Sequence, residues 1–226
     1  MSGGPSGLLP RVIVRFGAGA LILAALFFGT AGTLDYWQAW VYLAVLYLPM
    51  TFVLVYLLRR DPELLERRLR GREPLAAQRA IIVAATLVLL LAFIIPGLDR
   101  RFGWSNLPPP LVVAFDVIVL VGYAFFFLVL RQNSYASRTV QVEPGQRVVT
   151  TGPYRVVRHP MYLAVMVMYL ASPLALGSVW ALLPALLLPI FLVARIRSEE
   201  RLLAHDLPGY REYQSTTEYA LVPGIW

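Results

Sequence analysis

The chain contains no cysteine and no lysine, and it has only two histidines, His159 and His205. The lack of cysteine excludes disulfide bonds, thiolate metal sites and a cysteine nucleophile. Because the two histidines are far apart in the sequence, a histidine metal cluster is not expected, and we predict no bound metal. The sequence also has no GxGxxG motif, which argues against a Rossmann-type nucleotide site.

Charged residues are scarce as well. They make up 15% of the 226 residues, and hydrophobic residues make up 58%, against roughly a quarter and a half in a soluble domain. The hydrophobic residues are grouped into stretches close to the ~20 residues that cross a bilayer core. We predict six apolar segments, at residues 16–34, 37–58, 80–98, 111–130, 161–176 and 179–194. The chain is therefore expected to be an integral membrane protein.

The last two apolar segments are shorter than the others and meet at Gly177 and Ser178. This arrangement predicts a helical hairpin. Beyond it, apolar residues recur with helical spacing through Leu203, Leu207 and Tyr210, which predicts an amphipathic tail along the membrane. The predicted fold is an all-α integral membrane protein with about six transmembrane helices, a C-terminal helical hairpin and a cytoplasmic amphipathic tail.

The net charge of +7 comes with 20 arginines, which lie mainly in loops that flank the apolar segments. Membrane topology explains this placement better than nucleic-acid binding does, and we expect no nucleic-acid partner. Eighteen arginines fall at the N-terminus, in the 59–79 and 131–159 loops and in the C-terminal tail, whereas only Arg100 and Arg101 fall on the opposite side. The positive-inside rule therefore predicts that both termini are cytoplasmic. We expect the inner membrane of a prokaryote as the location.

Two features of the N-terminal half have two interpretations each. Asp116 lies within the fourth apolar segment, where a carboxylate is a functional candidate. It is also about one turn from the segment end, which fits a packed or snorkelling structural residue.

The 59–79 loop alternates acidic residues and arginines around Leu64 and Leu65. It is either an amphipathic helix on the membrane surface or a solvated connector.

Polar residues concentrate between Gln141 and His159, in a loop long enough to suggest a function. Pro160 follows directly, and it disfavours helical backbone at His159 while suiting the first position of a helix. We therefore predict that the fifth membrane helix begins here, with free backbone N–H groups that attract anions. Arg158 and His159 would stand at this helix end. A basic interfacial anchor is the alternative interpretation.

A second polar cluster follows the sixth segment, where Arg195, Arg197, Glu199 and Glu200 occur within six residues. Arg195 and Glu199 are four residues apart and therefore share a helix face. The pattern predicts either an intrahelical ion pair or a functional pair of groups at the membrane surface.

Taken in order, these two clusters resemble the isoprenylcysteine carboxyl methyltransferase family and its phospholipid-methyltransferase relatives. The resemblance rests on four short elements within residues 141–226. They are Gly152-Pro153-Tyr154, Arg158-His159-Pro160-Met161-Tyr162, Glu199-Glu200, and Gly209-Tyr210 with Tyr213. Ala164 departs from the pattern, because a glycine commonly follows the RHPxY element.

The resemblance implies a small helical membrane methyltransferase that uses S-adenosylmethionine. It divides the chain into N-terminal transmembrane helices over residues 1–130, which form a substrate entrance, and a C-terminal methyltransferase region over residues 131–226, which contains the cofactor pocket. It implies that Arg195 and Glu199 are catalytic and face the acceptor. The implied cofactor-binding residues are Gln141, Gln146, Arg147, Val148, Val149, Tyr154, His159, Pro160, Met161, Tyr162 and Glu200.

The residue types suit these roles. A glutamate can hold the ammonium group of the cofactor, His159 and the helix end suit its carboxylate, and tyrosines offer aromatic faces. Methyl transfer is an in-line displacement, so alignment and exclusion of water provide much of its rate enhancement. A carboxylate acceptor needs no strong base and would be oriented by Arg195. An amine or thiol acceptor would instead need Glu199 as a base.

We expect the acceptor to be a lipophilic molecule from the bilayer, similar to an isoprenylcysteine carboxylate, and the other partners to be membrane lipids. The sequence indicates no protein partner. One alternative is an NADPH-dependent enzyme of the sterol-reductase type, which resembles the family in the same region but is normally larger. Another is a non-enzymatic transporter or scaffold, in which polar residues would follow a path across the membrane.

Overall fold

The structure, a computed structural model, describes residues 5–69 and 76–226. These residues form nine α-helices and one 3-10 turn, Gly152–Arg155, with no strand among them. The helices are α1 (Pro5–Ala31), α2 (Trp37–Arg60), α3 (Pro62–Leu69), α4 (Ala76–Phe102), α5 (Pro109–Gln132), α6 (Pro160–Ala175), α7 (Leu182–Ala185), α8 (Leu188–Asp206) and α9 (Tyr210–Thr216). The prediction of an all-helical protein is confirmed for the described residues.

Four of the described helices are long and apolar enough to cross a membrane. They cover Gly7–Ala31, Trp37–Arg60, Gln78–Phe102 and Pro109–Gln132. Each has 24 or 25 residues, which at 1.5 Å per residue is sufficient for a hydrocarbon core of about 30 Å. Large apolar side chains such as Leu21 and Leu87 are exposed on their outer faces, as expected where lipid covers the protein. The assignment to the membrane is confirmed.

The last two apolar segments differ from this pattern. α6 has only 16 residues and begins at Pro160, as predicted. The predicted sixth segment is not one helix, because residues 179–194 are divided between α7 and the first part of α8. Pro189, at the start of α8, explains the division, since proline has no N–H to donate to the preceding turn. The predicted count of six transmembrane helices is therefore not confirmed.

α8 continues past the apolar segment to Asp206, so that Arg195, Glu199 and Glu200 lie on one helix. The tail then forms α9, whose Tyr210 and Tyr213 are buried against the rest of the protein. The tail is thus partly helical and packs on the protein. Its position along a membrane stays a prediction.

The 59–79 loop contains α3, whose Leu64 and Leu65 are buried against α1 and α2. This part of the loop is an amphipathic helix, and residues 70–75 lie outside the described residues. Arg67 Nη1 donates to the carbonyl oxygen of Ser134 at 2.8 Å, and Arg68 Nη1 donates to that of Ala136 at 2.9 Å. The arginine-rich connections therefore gather at one end of the bundle.

At the other end, Asp99 joins α4 to the turn before α7. Its carboxylate accepts hydrogen bonds from the N–H of Ser105 at 2.6 Å, the hydroxyl of Ser105 at 2.7 Å and the hydroxyl of Ser178 at 2.5 Å. Tyr36 supports the same end by donating its hydroxyl to the carbonyl oxygen of Leu176 at 2.6 Å. These bonds fix the helix ends that lie furthest from the arginine-rich connections.

Gly97 allows α1 and α4 to approach each other closely. A Cβ atom at this position would lie 2.8 Å from the carbonyl oxygen of Phe27 and closer still to the side chain of Thr30. Gly97→Ala is therefore expected to push the helices apart and to destabilise the protein by about 1–3 kcal/mol. The measurement is the thermal unfolding midpoint of the detergent-purified protein, which should fall.

Gly29→Ala is the matched control, since a Cβ atom at this helical position meets nothing within 4 Å. It should keep or raise the midpoint, because alanine favours a helix over glycine. Equal midpoints for Gly97→Ala and Gly29→Ala would contradict the close approach of the two helices.

Candidate functional site

A cavity, here called the polar cavity, lies between the α5–α6 connection, the start of α6, α8 and α9. Ten of the eleven predicted cofactor-binding residues line it, together with Glu199. The ten are Gln141, Gln146, Arg147, Val148, Val149, Tyr154, His159, Pro160, Met161 and Tyr162. Arg195 and Glu200 do not line the polar cavity, but each contacts a residue that does. The structure thus brings all the predicted site residues together, and their roles stay predictions.

The start of α6 places the central residues of the site. His159 precedes the helix with non-helical backbone, and Pro160 is its first residue. The backbone N–H groups of Arg158 and His159 donate to the carbonyl oxygens of Tyr219 and Ala220, both at 2.9 Å. The C-terminal segment therefore holds these two residues in front of the helix, next to α8.

Tyr162 connects the two predicted catalytic residues. Its hydroxyl donates to Glu199 Oε2 at 2.6 Å and accepts from Arg195 Nε at 2.9 Å. The Arg195 guanidinium also donates to Gln78 Oε1 at 3.2 Å and to the carbonyl oxygen of Arg138 at 2.7 Å. Arg195 and Glu199 are thus joined through the hydroxyl of Tyr162, and this network restricts both side chains.

Glu200 binds the two basic residues in front of α6. Its Oε1 accepts from Arg158 Nε at 2.7 Å and lies 3.2 Å from His159 Nε2. Burial raises the pKa of Glu200, but hydrogen bonds from His159 and Arg158 outweigh burial and lower this pKa to about 2. Glu200 therefore stays ionised, balances the charge of Arg158 and acts on the polar cavity through His159.

Tyr154 is held from two sides. Asn133 Nδ2 donates to its hydroxyl at 2.9 Å, and the hydroxyl of Tyr213 donates to its carbonyl oxygen at 2.7 Å. Burial raises the pKa of Tyr154 to about 12, so that the hydroxyl stays protonated at neutral pH. The aromatic ring is thereby fixed in the wall of the polar cavity.

Gln141 and Gln146 are both bound to Glu143 in the α5–α6 connection. Gln141 Nε2 donates to Glu143 Oε1 at 2.6 Å, and the backbone N–H of Glu143 donates to Gln146 Oε1 at 2.8 Å. Glu143 is buried, and the sequence analysis did not single it out. The two glutamines therefore shape the loop in addition to lining the polar cavity.

Tyr210 is a lining residue that the sequence analysis did not assign to the site. Its buried hydroxyl has no hydrogen-bond partner within the described residues. Burial and the nearby carboxylates of Glu200 and Glu199 raise the pKa of Tyr210, so the hydroxyl remains a donor. An unsatisfied buried hydroxyl calls for an explanation, and its place in the cavity wall makes it a candidate ligand contact. The available signal was its place in the Gly209-Tyr210 element, which supported the family resemblance and the predicted tail but was not assigned to the site.

The other lining residues outside the prediction are Asn133, Tyr135, Ala136, Ser137, Thr139, Val140, Arg158, Leu203, Leu207 and Tyr213. Most of them belong to the α5–α6 connection and to the end of α8. Arg158 and Tyr213 belong to the motifs of the sequence analysis. The positions of the others follow from the packing of these elements, for which the sequence has no local pattern.

A second cavity, here called the apolar cavity, lies among α1, α2, α4, α5 and α6. Its volume of about 560 Å³ is within the range of small-molecule sites. The charged side chains among its described lining residues are Arg15, Arg68 and Arg138. Arg68 Nη1 lies 3.6 Å from the sulfur of Met161, which lines the polar cavity. The two cavities are therefore neighbours.

Asp116 lines neither cavity. Its side chain is 3% exposed, and both carboxylate oxygens have no hydrogen-bond partner in the described ranges. This burial favours the packed interpretation over a side chain that reaches the membrane surface.

Within the described residues, no group of three or more His, Cys, Asp or Glu side chains is placed to hold a metal ion.

Comparison with known proteins identifies a family for part of the chain. Residues 112–205 match the model of the isoprenylcysteine carboxyl methyltransferase (ICMT) family. The match begins in α5 and ends in α8, so it contains every predicted site residue but not α1–α4 or α9. No curated protein matches the chain. The resemblance is confirmed over residues 112–205, where the motifs had indicated 141–226, and it supports a membrane methyltransferase.

The pKa of Glu200 predicts a pH dependence of stability. A carboxyl group whose pKa falls from 4.5 to about 2 on folding stabilises the folded state fully above a pH of about 4.5. This contribution, about 3 kcal/mol at most, is lost as the pH falls through 2. We therefore expect Glu200→Gln to lower the thermal unfolding midpoint at neutral pH, with a difference from wild type that stays constant down to about pH 4.5 and shrinks between about 4.5 and 2.

Glu212→Gln is the control, because Glu212 lies exposed on α9. Its midpoint should follow that of the wild type across the same pH range. A difference between Glu200→Gln and wild type that stays constant from neutral pH to about pH 2 would contradict the lowered pKa.

Proposed function

We propose that this chain is a membrane methyltransferase that uses S-adenosylmethionine to methylate the carboxylate of a lipophilic acceptor similar to an isoprenylcysteine. The observation that carries the proposal is the meeting of the His159 segment and the Glu199–Glu200 pair at one cavity. Both elements fall inside the residues that match the methyltransferase family. We also propose that the polar cavity faces the cytoplasm, as the arginine distribution predicts.

The residues around the polar cavity fit S-adenosylmethionine by their chemistry. This molecule combines cationic groups, a carboxylate and an adenine ring. The carboxylate of Glu199 suits the cationic groups, Arg147 suits the carboxylate, and the ring of Tyr154 beside Val148 suits the adenine. The unsatisfied hydroxyl of Tyr210 offers a further hydrogen bond. When bound, the cofactor supplies an electrophilic methyl group.

Arg195 is proposed to orient the acceptor carboxylate, because a guanidinium group matches a carboxylate in geometry and charge. Hydrogen bonds to Tyr162, Gln78 and the Arg138 backbone restrict its position. A carboxylate is already nucleophilic, so the protein needs to align it and to exclude water and needs no strong base. Glu199 then serves to hold Tyr162 and to balance the charge of Arg195.

The apolar cavity is proposed to receive the hydrocarbon part of the acceptor from the bilayer. Most of its wall comes from the apolar faces of α1, α2, α4, α5 and α6. It adjoins the polar cavity at Arg68 and Met161. An acceptor with its chain in the apolar cavity could therefore present its head group to the polar cavity without leaving the membrane.

Binding of S-adenosylhomocysteine tests the cofactor. We expect calorimetry on the detergent-purified protein to detect binding, and His159→Ala to weaken it by about tenfold or more, because a contact to a charged ligand is worth about 1.5–3 kcal/mol. His159 lines the polar cavity and lies parallel to Tyr162, with ring centroids 5.7 Å apart. Its loss would remove a contact in the cavity wall and also the ring packing against Tyr162.

His205→Ala is the matched control, because the second histidine is exposed near the end of α8 and lines neither cavity. It should bind S-adenosylhomocysteine as the wild type does. Binding of NADPH without binding of S-adenosylhomocysteine would reject the methyltransferase and favour a reductase.

Arg195→Gln tests the orientation of the acceptor. With a prenylated cysteine derivative as acceptor, we expect kcat/KM to fall about 100-fold, because misalignment of reacting groups costs that much. The affinity for S-adenosylhomocysteine should change little. The measurement combines transfer of a labelled methyl group with calorimetry of the same preparation.

Arg197→Gln provides the comparison for Arg195→Gln. Arg197 lies on the same helix, but its side chain is exposed and its guanidinium lies 5.9 Å from the Trp226 ring centroid. It should retain activity. Equal losses in both variants would show that a general loss of positive charge is responsible, and the assigned role of Arg195 would be wrong.

A further inference from the structure

Arg68, on α3, lies in the wall between the two cavities. Its Nη1 donates to the carbonyl oxygen of Ala136 at 2.9 Å and contacts the sulfur of Met161 at 3.6 Å. Its guanidinium lies over the ring of Phe126, 5.0 Å from the centroid. Ala136 and Met161 line the polar cavity, whereas Arg68 and Phe126 line the apolar cavity. This single side chain therefore borders both spaces.

Arg68 has no carboxylate partner among the residues that the structure describes. Its neighbour Arg67, by contrast, pairs with Glu63 at 3.1 Å and lies 3.8 Å from Glu143. Burial and the nearby guanidinium of Arg138 lower the pKa of Arg68 to about 10, so the side chain remains charged at neutral pH. An enclosed cation without an anion raises the free energy of the protein, and an anionic ligand would offset that cost.

The charges of the apolar cavity are concentrated near α3. Arg15 donates to the carbonyl oxygen of Leu69, the residue that follows Arg68. Arg138 accepts a hydrogen bond at its carbonyl oxygen from Arg195 at 2.7 Å. The remaining wall is mainly aliphatic and aromatic. This distribution fits a ligand with a hydrocarbon chain and an anionic group at one end.

We propose that Arg68 is a specificity-determining residue of the transferase, which binds the anionic group of the acceptor as it passes from the apolar cavity to Arg195. The inference rests on the proposed function and adds a residue outside the 112–205 stretch that matches the family. A guanidinium attracts a carboxylate and repels an ammonium group, so Arg68 selects acids over amines. Arg195 donates to the carbonyl oxygen of Arg138, a residue that lines the apolar cavity together with Arg68.

The test uses the full-length protein in lipid nanodiscs with two probes that share one hydrocarbon chain. The first is a prenylated cysteine derivative with a free carboxylate, used as the acceptor. The second is the corresponding primary amide, used as a competitive inhibitor without charge. We expect Arg68→Gln to raise the acceptor KM about tenfold or more, since a hydrogen bond to a charged group is lost, while the inhibition constant of the amide stays unchanged.

Two further variants separate charge from folding. Arg68→Lys keeps the positive charge and should show a smaller rise in KM, of about threefold, because an ammonium lacks the guanidinium fork. Arg67→Gln removes the hydrogen bond from α3 to the carbonyl oxygen of Ser134 in the α5–α6 connection. Arg67 lines neither cavity. It should keep the wild-type KM even where its thermal unfolding midpoint falls as far as that of Arg68→Gln.

The outcomes are distinguishable. An unchanged acceptor KM in Arg68→Gln, or an equal loss of affinity for the acid and the amide, would overturn the inference while the methyltransferase proposal stands. A wild type that binds S-adenosylhomocysteine but methylates an amine of the same chain in preference to the acid would overturn the inference together with the proposed carboxylate acceptor, and would leave only the use of S-adenosylmethionine standing. A wild type that does not bind S-adenosylhomocysteine would reject the proposed function, and the inference with it.

Discussion

Arg158 and Glu200 lie 42 residues apart in the chain and 2.7 Å apart in space. Their ion pair closes the segment that contains α6, α7 and the first half of α8, and it places the start of α6 against the polar part of α8. Both side chains are largely enclosed, at 12% and 16% exposed, so solvent screens the pair weakly. The polar cavity depends on this closure, because α6 and α8 both supply residues to its wall.

The path of α8 explains how polar groups reach this position. The helix begins at Leu188 within an apolar stretch and continues without a break to Asp206. Its apolar first half packs within the bundle, while its second half presents Arg195 and Glu199 beside the start of α6. Groups on a continuous helix are held more firmly than groups on a loop. Tyr162 adds to this rigidity, because its hydroxyl bonds both side chains at once.

Features with a local chemical cause could be predicted from the sequence. Apolar length identified the four long helices, and the backbone restriction at Pro160 identified the start of α6. The division of the last apolar segment at Pro189 was missed, because hydropathy averages over a proline that interrupts a helix. Motifs identified most of the residues that line the polar cavity in chain order but not their partners. Gln78 and Arg195 are 117 residues apart, and only the packing of α4 against α8 brings them into contact.

The balance of charges around the site separates structural groups from groups available to a ligand. Arg158 is compensated by Glu200, and Arg195 is linked to Glu199 through Tyr162. Within the described residues, the Arg68 guanidinium contacts a carbonyl oxygen, a sulfur and an aromatic face, and no carboxylate. These contacts fix the direction of the guanidinium without neutralising it. Residues 112–205, which match the family, thus contribute a compensated polar network, whereas Arg68, outside that stretch, has no carboxylate partner among the described residues. The proposed transfer site and the proposed acceptor contact at Arg68 therefore lie on different helices, and Arg68 takes no part in the hydrogen bonds that join Tyr162 to Arg195 and Glu199.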